Sequence, residues 1–222
     1  MRGVEAATGT SKGTAALVCD LDGVVRHFDT SAQAAVDSRY GLPEGAIGRA
    51  CFSQPLLTKA ASGLVPDAHW REAAARDLTG IAGECATDAL REWTELPEKL
   101  AADVLDLLAQ VRERHPVVLL TNATDRLAAD IDRLGIGQAF DEIINSSDVG
   151  AAKPDLAAFT AAATAVDRVL GRTVTPEMIA FVDDTKAHVA AAEALGWRGT
   201  PVPRRLGPPD VPARLRTAEI LT

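Results

Sequence analysis

The chain has 222 residues, long enough for one α/β core with a sizeable insertion or for two small domains sharing a cleft. Its 31 acidic against 23 basic side chains give a formal net charge of −8, which repels nucleic acid and anionic membranes, and no basic run offsets it. Three scattered cysteines without CxxC spacing and no secretory signal point to a reducing cytoplasm, and charges or prolines interrupt every apolar run short of the roughly 20 residues that a membrane-spanning helix needs.

Residues 1–14, with Gly3, Gly9 and Gly13 among Ser and Thr, carry no periodicity and are expected to form a disordered tail. Ala15 to Cys19 is a short apolar run that ends in Asp20-Leu21-Asp22-Gly23, the pattern of a buried strand emptying into a turn. From Phe28 to Glu98 helical segments follow one another around Ser31–Tyr40, Pro43–Ala50, Pro66–Thr79 and Thr87–Leu96 with no strand between them, so 28–98 reads as a helical cap domain inserted after the first strand.

Strand and helix then alternate. Pro116–Leu120 runs into Thr121 and Asn122, Glu142–Asn145 into Ser146 and Ser147, and Met178–Val182 into Asp183 and Asp184. Helical patterns over Leu100–Arg114, Asp125–Leu134, Leu156–Leu170 and Thr185–Leu195 fill the intervals, and the Pro-rich stretch Pro201–Pro212 is expected to be irregular. This alternation predicts an α/β fold, a doubly wound, Rossmann-like parallel sheet formed by 15–27 and 99–222. In such a sheet the polar residues at the carboxyl ends of the strands meet along one edge.

Residues two apart on an extended strand face the same way, so Asp20 and Asp22 are expected to point together into the edge cleft, where Asp183 or Asp184 joins them. Like charges about 4 Å apart repel by roughly 4 kcal/mol at an effective dielectric near 20, and Lys153 alone does not balance four carboxylates. A divalent cation is implied, and hard oxygen ligands select Mg²⁺.

Asp20-Leu21-Asp22-Gly23-Val24-Val25, Thr121-Asn122, Lys153-Pro154 and Asp183-Asp184, in this order, resemble the four motifs of the haloacid dehalogenase (HAD) superfamily, in its phosphatase-like branch with a helical cap of the C1 type. The resemblance implies that Asp20 attacks phosphorus to form an aspartyl-phosphate and that Asp22 is the general acid and base. Thr121 with the backbone N–H of Asn122 would hold phosphoryl oxygens, and Lys153 would offset negative charge. Mg²⁺ would be bound by Asp20, the main-chain carbonyl of Asp22 and Asp184, with Asp183 acting from behind; which of Asp183 and Asp184 binds directly stays open. The expected activity is hydrolysis of a small phosphorylated metabolite, with a phosphomutase, a 2-haloacid dehalogenase or a non-catalytic phospho-accepting module as alternatives.

Where the family often has an acidic or amide side chain one helical turn after the last motif, this chain has His188. Arg26 and His27 follow the nucleophile loop and are candidates to touch substrate, or simply solvated flap residues. Arg49, Lys59, His69, Arg71 and Arg76 lie in the cap and are candidates for an anionic substrate, or a solvated face. Trp70, Trp93 and Trp197 read as packing anchors. Neither the substrate nor the oligomeric state is legible in residue types alone.

Overall fold

The computed structural model describes residues 13–202. Most of the expected N-terminal tail and the stretch from Pro203 onward lie outside the described residues. Thr14, placed in that tail by the sequence, is buried, and its hydroxyl accepts a hydrogen bond from Arg198.

The elements in chain order are β1 (Ala16–Cys19), β2 (Arg26–His27), α1 (Thr30–Arg39), α2 (Ala46–Cys51), α3 (Leu56–Ala61), α4 (Asp67–Ala82), α5 (Ala86–Thr94), β3 (Lys99–Leu100) and α6 (Ala102–Arg112). They continue with β4 (Val117–Thr121), α7 (Leu127–Leu134), β5 (Glu142–Asn145), α8 (Ser146–Val149), α9 (Leu156–Leu170), β6 (Ile179–Asp183), α10 (Lys186–Ala194) and β7 (Arg198–Pro201).

Five strands form one parallel sheet in the order β5-β4-β1-β6-β7. β1 is apolar throughout, and β4 and β6 are apolar up to their last residues, Thr121 and Asp183, because these strands are covered on both faces, as parallel strands require. Alternate residues go to opposite sides. Leu17, Cys19, Leu119 and Val182 pack on α6 and α7, and Val18, Leu120 and Phe181 pack on α9 and α10. Phe159, Phe181 and Trp197 meet edge to face on the second side, so Trp197 is a packing anchor.

The helical insertion lies between β2 and β3, which pair antiparallel as a two-stranded neck that the sequence reading missed. Two residues per strand are too few for a periodic signal. The insertion has five helices rather than four. α3 escaped because its six residues follow Pro55 and carry no second apolar turn. Its core is its own, with Ile47, Trp70, Leu78 and Leu90 surrounded by alanines. β7 was also missed, since Arg-Gly-Thr-Pro has neither alternation nor an apolar run; its place at the sheet edge is set by pairing with β6.

The insertion is docked on the core. Ser146 Oγ donates to the Ala61 carbonyl at 2.6 Å, the Asp67 amide donates to Asp125 at 2.8 Å, and Thr124 Oγ1 donates to the Asp67 carboxylate at 3.0 Å. Gly63 is required at this junction. Its φ is +70°, and a Cβ there would sit 2.2 Å from the Ser147 carbonyl oxygen.

Candidate active site

Strand pairing brings the polar ends together. Cys19 is level with Leu119 on one side and Val182 on the other, so Asp20, Thr121 and Asp183 emerge at one carboxyl edge. Asp20, Thr121, Lys153 and Asp183 are all buried there.

Lys153 joins the two sheet carboxylates. Its Nζ lies 2.9 Å from Asp20 Oδ1 and 2.6 Å from Asp183 Oδ2, with no solvent exposure of the lysine side chain. Asn122 fixes the loop that carries it, accepting from the Lys153 amide at 2.7 Å and donating to the Lys153 carbonyl at 2.9 Å. The Asp155 side chain caps α9 just beyond by accepting from the Ala157 amide.

These contacts set the charges. Burial pushes the Asp20 carboxyl up to about 7 against the pull of Lys153, with Asp183 and Asp22 adding to the rise. Burial works against the Lys153 charge, but Asp20 and Asp183 outweigh it and hold the ammonium above the ordinary lysine range. Asp183, despite its burial, is held below the usual carboxylate range by His188 and Lys153. His188 Nδ1 lies 3.1 Å from both Asp183 oxygens, and the Thr185 amide donates to Asp183 at 2.7 Å. His188 therefore supports Asp183 from the first turn of α10.

Asp20, Asp183 and Asp184 each offer a carboxylate oxygen, all within 4.8 Å of one another. Against Lys153 they leave two negative charges, the complement of one dication. The donors are hard oxygens, which fits Mg²⁺. Asp184 is the more open of the motif's last pair, and Thr185 Oγ1 donates to its Oδ1 at 2.9 Å. Its other oxygen lies where a Cβ on Gly23 would come within 2.1 Å, so the glycine of the first motif makes room for this carboxylate.

Asp22 lies near enough to Asp20 to raise its carboxyl, but the strand period does not carry through to it. The chain leaves the extended path at Asp20, and the Leu21 carbonyl accepts from the amides of Val24, Val25 and Arg26 in a tight turn. Asp22 therefore faces Arg26, which donates through Nε at 2.6 Å and Nη2 at 3.0 Å. Arg26 is not a solvated flap residue. It is 6% exposed, its guanidinium lies over the Phe28 ring, and Asp130 and Glu98 are 3.5 and 3.9 Å away. The sequence signal for it was the four-residue spacing from Asp22, which a turn as well as a helix can close.

A cavity of about 190 Å³ lies between insertion and core, reaching from Asp22 and Asn122 to Phe52, Trp70, Trp93 and Arg71. Trp70 donates its indole N–H to the Cys51 carbonyl at 2.9 Å and Trp93 meets Phe52 edge to face, so both anchor packing and also wall the cavity. Of the basic residues flagged in the insertion, Arg71 reaches this cavity; Arg49 donates to the Glu44 carbonyl instead.

Residues 14–196 match the haloacid dehalogenase-like hydrolase family. The chain belongs to that family. No curated protein sequence matches it. Among solved structures, a HAD family enzyme from Bacteroides thetaiotaomicron aligns with TM-score 0.68 at 20% identity, over 88% of this chain and 97% of that one. The same enzyme is known in complex with magnesium and inorganic phosphate. A HAD-like hydrolase from Porphyromonas gingivalis aligns with TM-score 0.66 at 22% identity, covering 92% and 98%. L-2-haloacid dehalogenase from Xanthobacter autotrophicus, with chloropropionic acid covalently bound, aligns with TM-score 0.58 at 23% identity, covering 83% and 75%. At these identities the likeness is one of fold. This HAD hydrolase is an enzyme for small molecules, and no helix among its described residues is long and apolar enough to cross a membrane.

Proposed function

We propose that this HAD hydrolase is a Mg²⁺-dependent phosphomonoesterase acting through an aspartyl-phosphate on Asp20. The observation that carries the reading is the carboxylate excess: Asp20, Asp183 and Asp184 within 4.8 Å around a single buried ammonium. A dehalogenase that displaces halide from a monoanionic acid has no use for two uncompensated negative charges. A phosphatase uses them to hold a dication against a phosphoryl group. The magnesium and phosphate bound by the Bacteroides enzyme of the same fold agree with this choice.

Asp20, Asp184 and the Asp22 main-chain carbonyl would hold the ion, and Asp183 would orient Lys153 through its 2.6 Å contact. When bound, Mg²⁺ supplies positive charge against the transferring phosphoryl oxygens and fixes their position. Asp20 attacks phosphorus with a carboxylate oxygen as the bond to the ester oxygen breaks. Asp22, turned from Arg26, would act as general acid to the departing alkoxide. The carboxylate so formed then takes a proton from the water that attacks the acyl phosphate, which frees inorganic phosphate and restores Asp20. Thr121 and the Asn122 amide donate to phosphoryl oxygens, and Lys153 balances the nucleophile and the transferring group. The helical insertion acts as the cap, excluding bulk water and selecting the leaving group.

Asp20→Asn protein, folded by circular dichroism, is expected to be inactive on p-nitrophenyl phosphate with Mg²⁺. Retained metal-dependent turnover would sink the reading.

A further inference from the structure

Two arginines, one from the insertion and one from the core, stand at the passage between the inner cavity and the surface. Arg71 on α4 and Arg126 at the start of α7 line the inner cavity with Asp22 and Asn122. Both also line a larger outer groove between α4 and α5, of about 610 Å³, where Arg76 and Arg91 join them. Asp67 and Thr94 are likewise common to the two spaces, so these four residues form the doorway.

Each doorway arginine makes its hydrogen bond through Nε, and the Arg71 guanidinium also lies over the Trp70 ring, 5.9 Å from its centroid. Arg71 Nε donates to Asp67 at 2.5 Å, and Asp67 is tied to the core through Thr124 and Asp125. Arg126 Nε donates to Asp130 at 3.2 Å. The Nη nitrogens of both side chains have no hydrogen-bond partner among the described residues, and both side chains are partly exposed, at 25% and 36%. A guanidinium fixed at Nε with its outer edge unused is pre-set to receive two oxygens of a carboxylate or phosphate. The carboxylate partners neutralise the charge of each arginine, so donor geometry rather than net field makes this a binding edge.

We propose that the substrate carries a second anionic group, a carboxylate or a second phosphate, gripped at this doorway by Arg71 and Arg126. This rests on the phosphomonoesterase reading and names the substrate class for it. The scissile phosphate sits at Asp20, the body of the leaving group lies against Phe52, Leu57 and Trp93, and the remote anion reaches the two arginines. Because Arg71 comes from the insertion and Arg126 from the core, one anion held by both fixes the cap against the sheet when substrate is seated.

The test compares kcat/KM for phosphorylated short hydroxy acids and diol bisphosphates with that for neutral alkyl phosphates of matching length. The native enzyme is expected to favour an anionic set about tenfold or more, and the better of the two sets tells carboxylate from phosphate. Arg71→Gln and Arg126→Gln are each expected to lower the anionic-to-neutral ratio about ten- to a hundredfold, chiefly through KM. Arg71→Lys, which keeps the charge but not the fork, is expected to fall between and serves if the Gln variant does not fold. A native ratio near one, or a native-like ratio in all the variants, overturns the proposal. Failure of the hydrolase reading is a different result, turnover of both substrate sets by Asp20→Asn.

Discussion

The sheet core and the helical insertion are packed separately. The sheet carries Leu, Val and Phe on two faces, with alanines gathered on the α9–α10 side, whereas the insertion surrounds Ile47, Trp70 and Leu78 with Ala46, Ala50, Ala60, Ala74, Ala75, Ala86 and Ala89. The core holds Asp20, Asp183 and Lys153, all buried, among close-packed side chains. The insertion, joined by the short β2–β3 neck and a few polar contacts, supplies walls rather than reacting groups. Chemistry that must not move and selection that must admit a substrate are thus kept on separate packing units.

The comparison predicts effects of decreasing size. Asp20→Asn or removal of the metal by a chelator is expected to lower turnover at least about a thousandfold, with activity restored by Mg²⁺ in the second case and not in the first. Equal rescue of both would mean that the core does not hold the nucleophile.

Lys153→Met leaves Asp20 and Asp183 buried without their shared cation. Urea denaturation is expected to show a loss of about 3–5 kcal/mol, the cost of breaking a buried pair from one side. A loss below about 1 kcal/mol would mean that water reaches this edge.

Gly63→Ala acts on the junction instead. The methyl group meets the Ser147 carbonyl and the backbone is already left-handed, so the α3–α4 turn must lift from α8. The expected cost is about 1–3 kcal/mol of docking, read as a raised KM with the urea midpoint of the sheet little changed. A matching drop of the midpoint would show that insertion and core unfold as one.

The smallest effect is kinetic. Cys85 is exposed, whereas burial pushes the Cys51 thiol in the insertion up to about 12 and the Cys19 thiol in β1 higher still. Alkylation followed by mass spectrometry is expected to tag Cys85 first, Cys51 later and Cys19 last. Simultaneous tagging of Cys51 and Cys19 would remove the distinction between the two regions.

The strand ends were legible because each combines a buried apolar run with polar residues at its close: Val18-Cys19-Asp20, Leu119-Leu120-Thr121 and Phe181-Val182-Asp183 need no partner to be read as strand and edge. The 3.6-residue period likewise set Leu156–Leu170 as a helix to the residue. Arg26 was misread because its environment is assembled from Asp22, Glu98 and Asp130, two of them about a hundred or seventy positions away. Arg126 drew no notice for the same reason, since only the fold sets it opposite Arg71. Short elements such as β2, β3, β7 and α3 lack the length over which a period is expressed, and their pairing comes from neighbours.

By itself the sequence determined the parallel α/β core, the helical insertion and the ordered set Asp20, Asp22, Thr121, Lys153, Asp183 and Asp184, because hydrophobic period and strand-end chemistry are local. Tertiary structure alone decided that Asp22 is paired with Arg26, that His188 backs Asp183, and that Arg71 and Arg126 share a doorway. Those relations are distances between side chains on different elements, and packing fixes them.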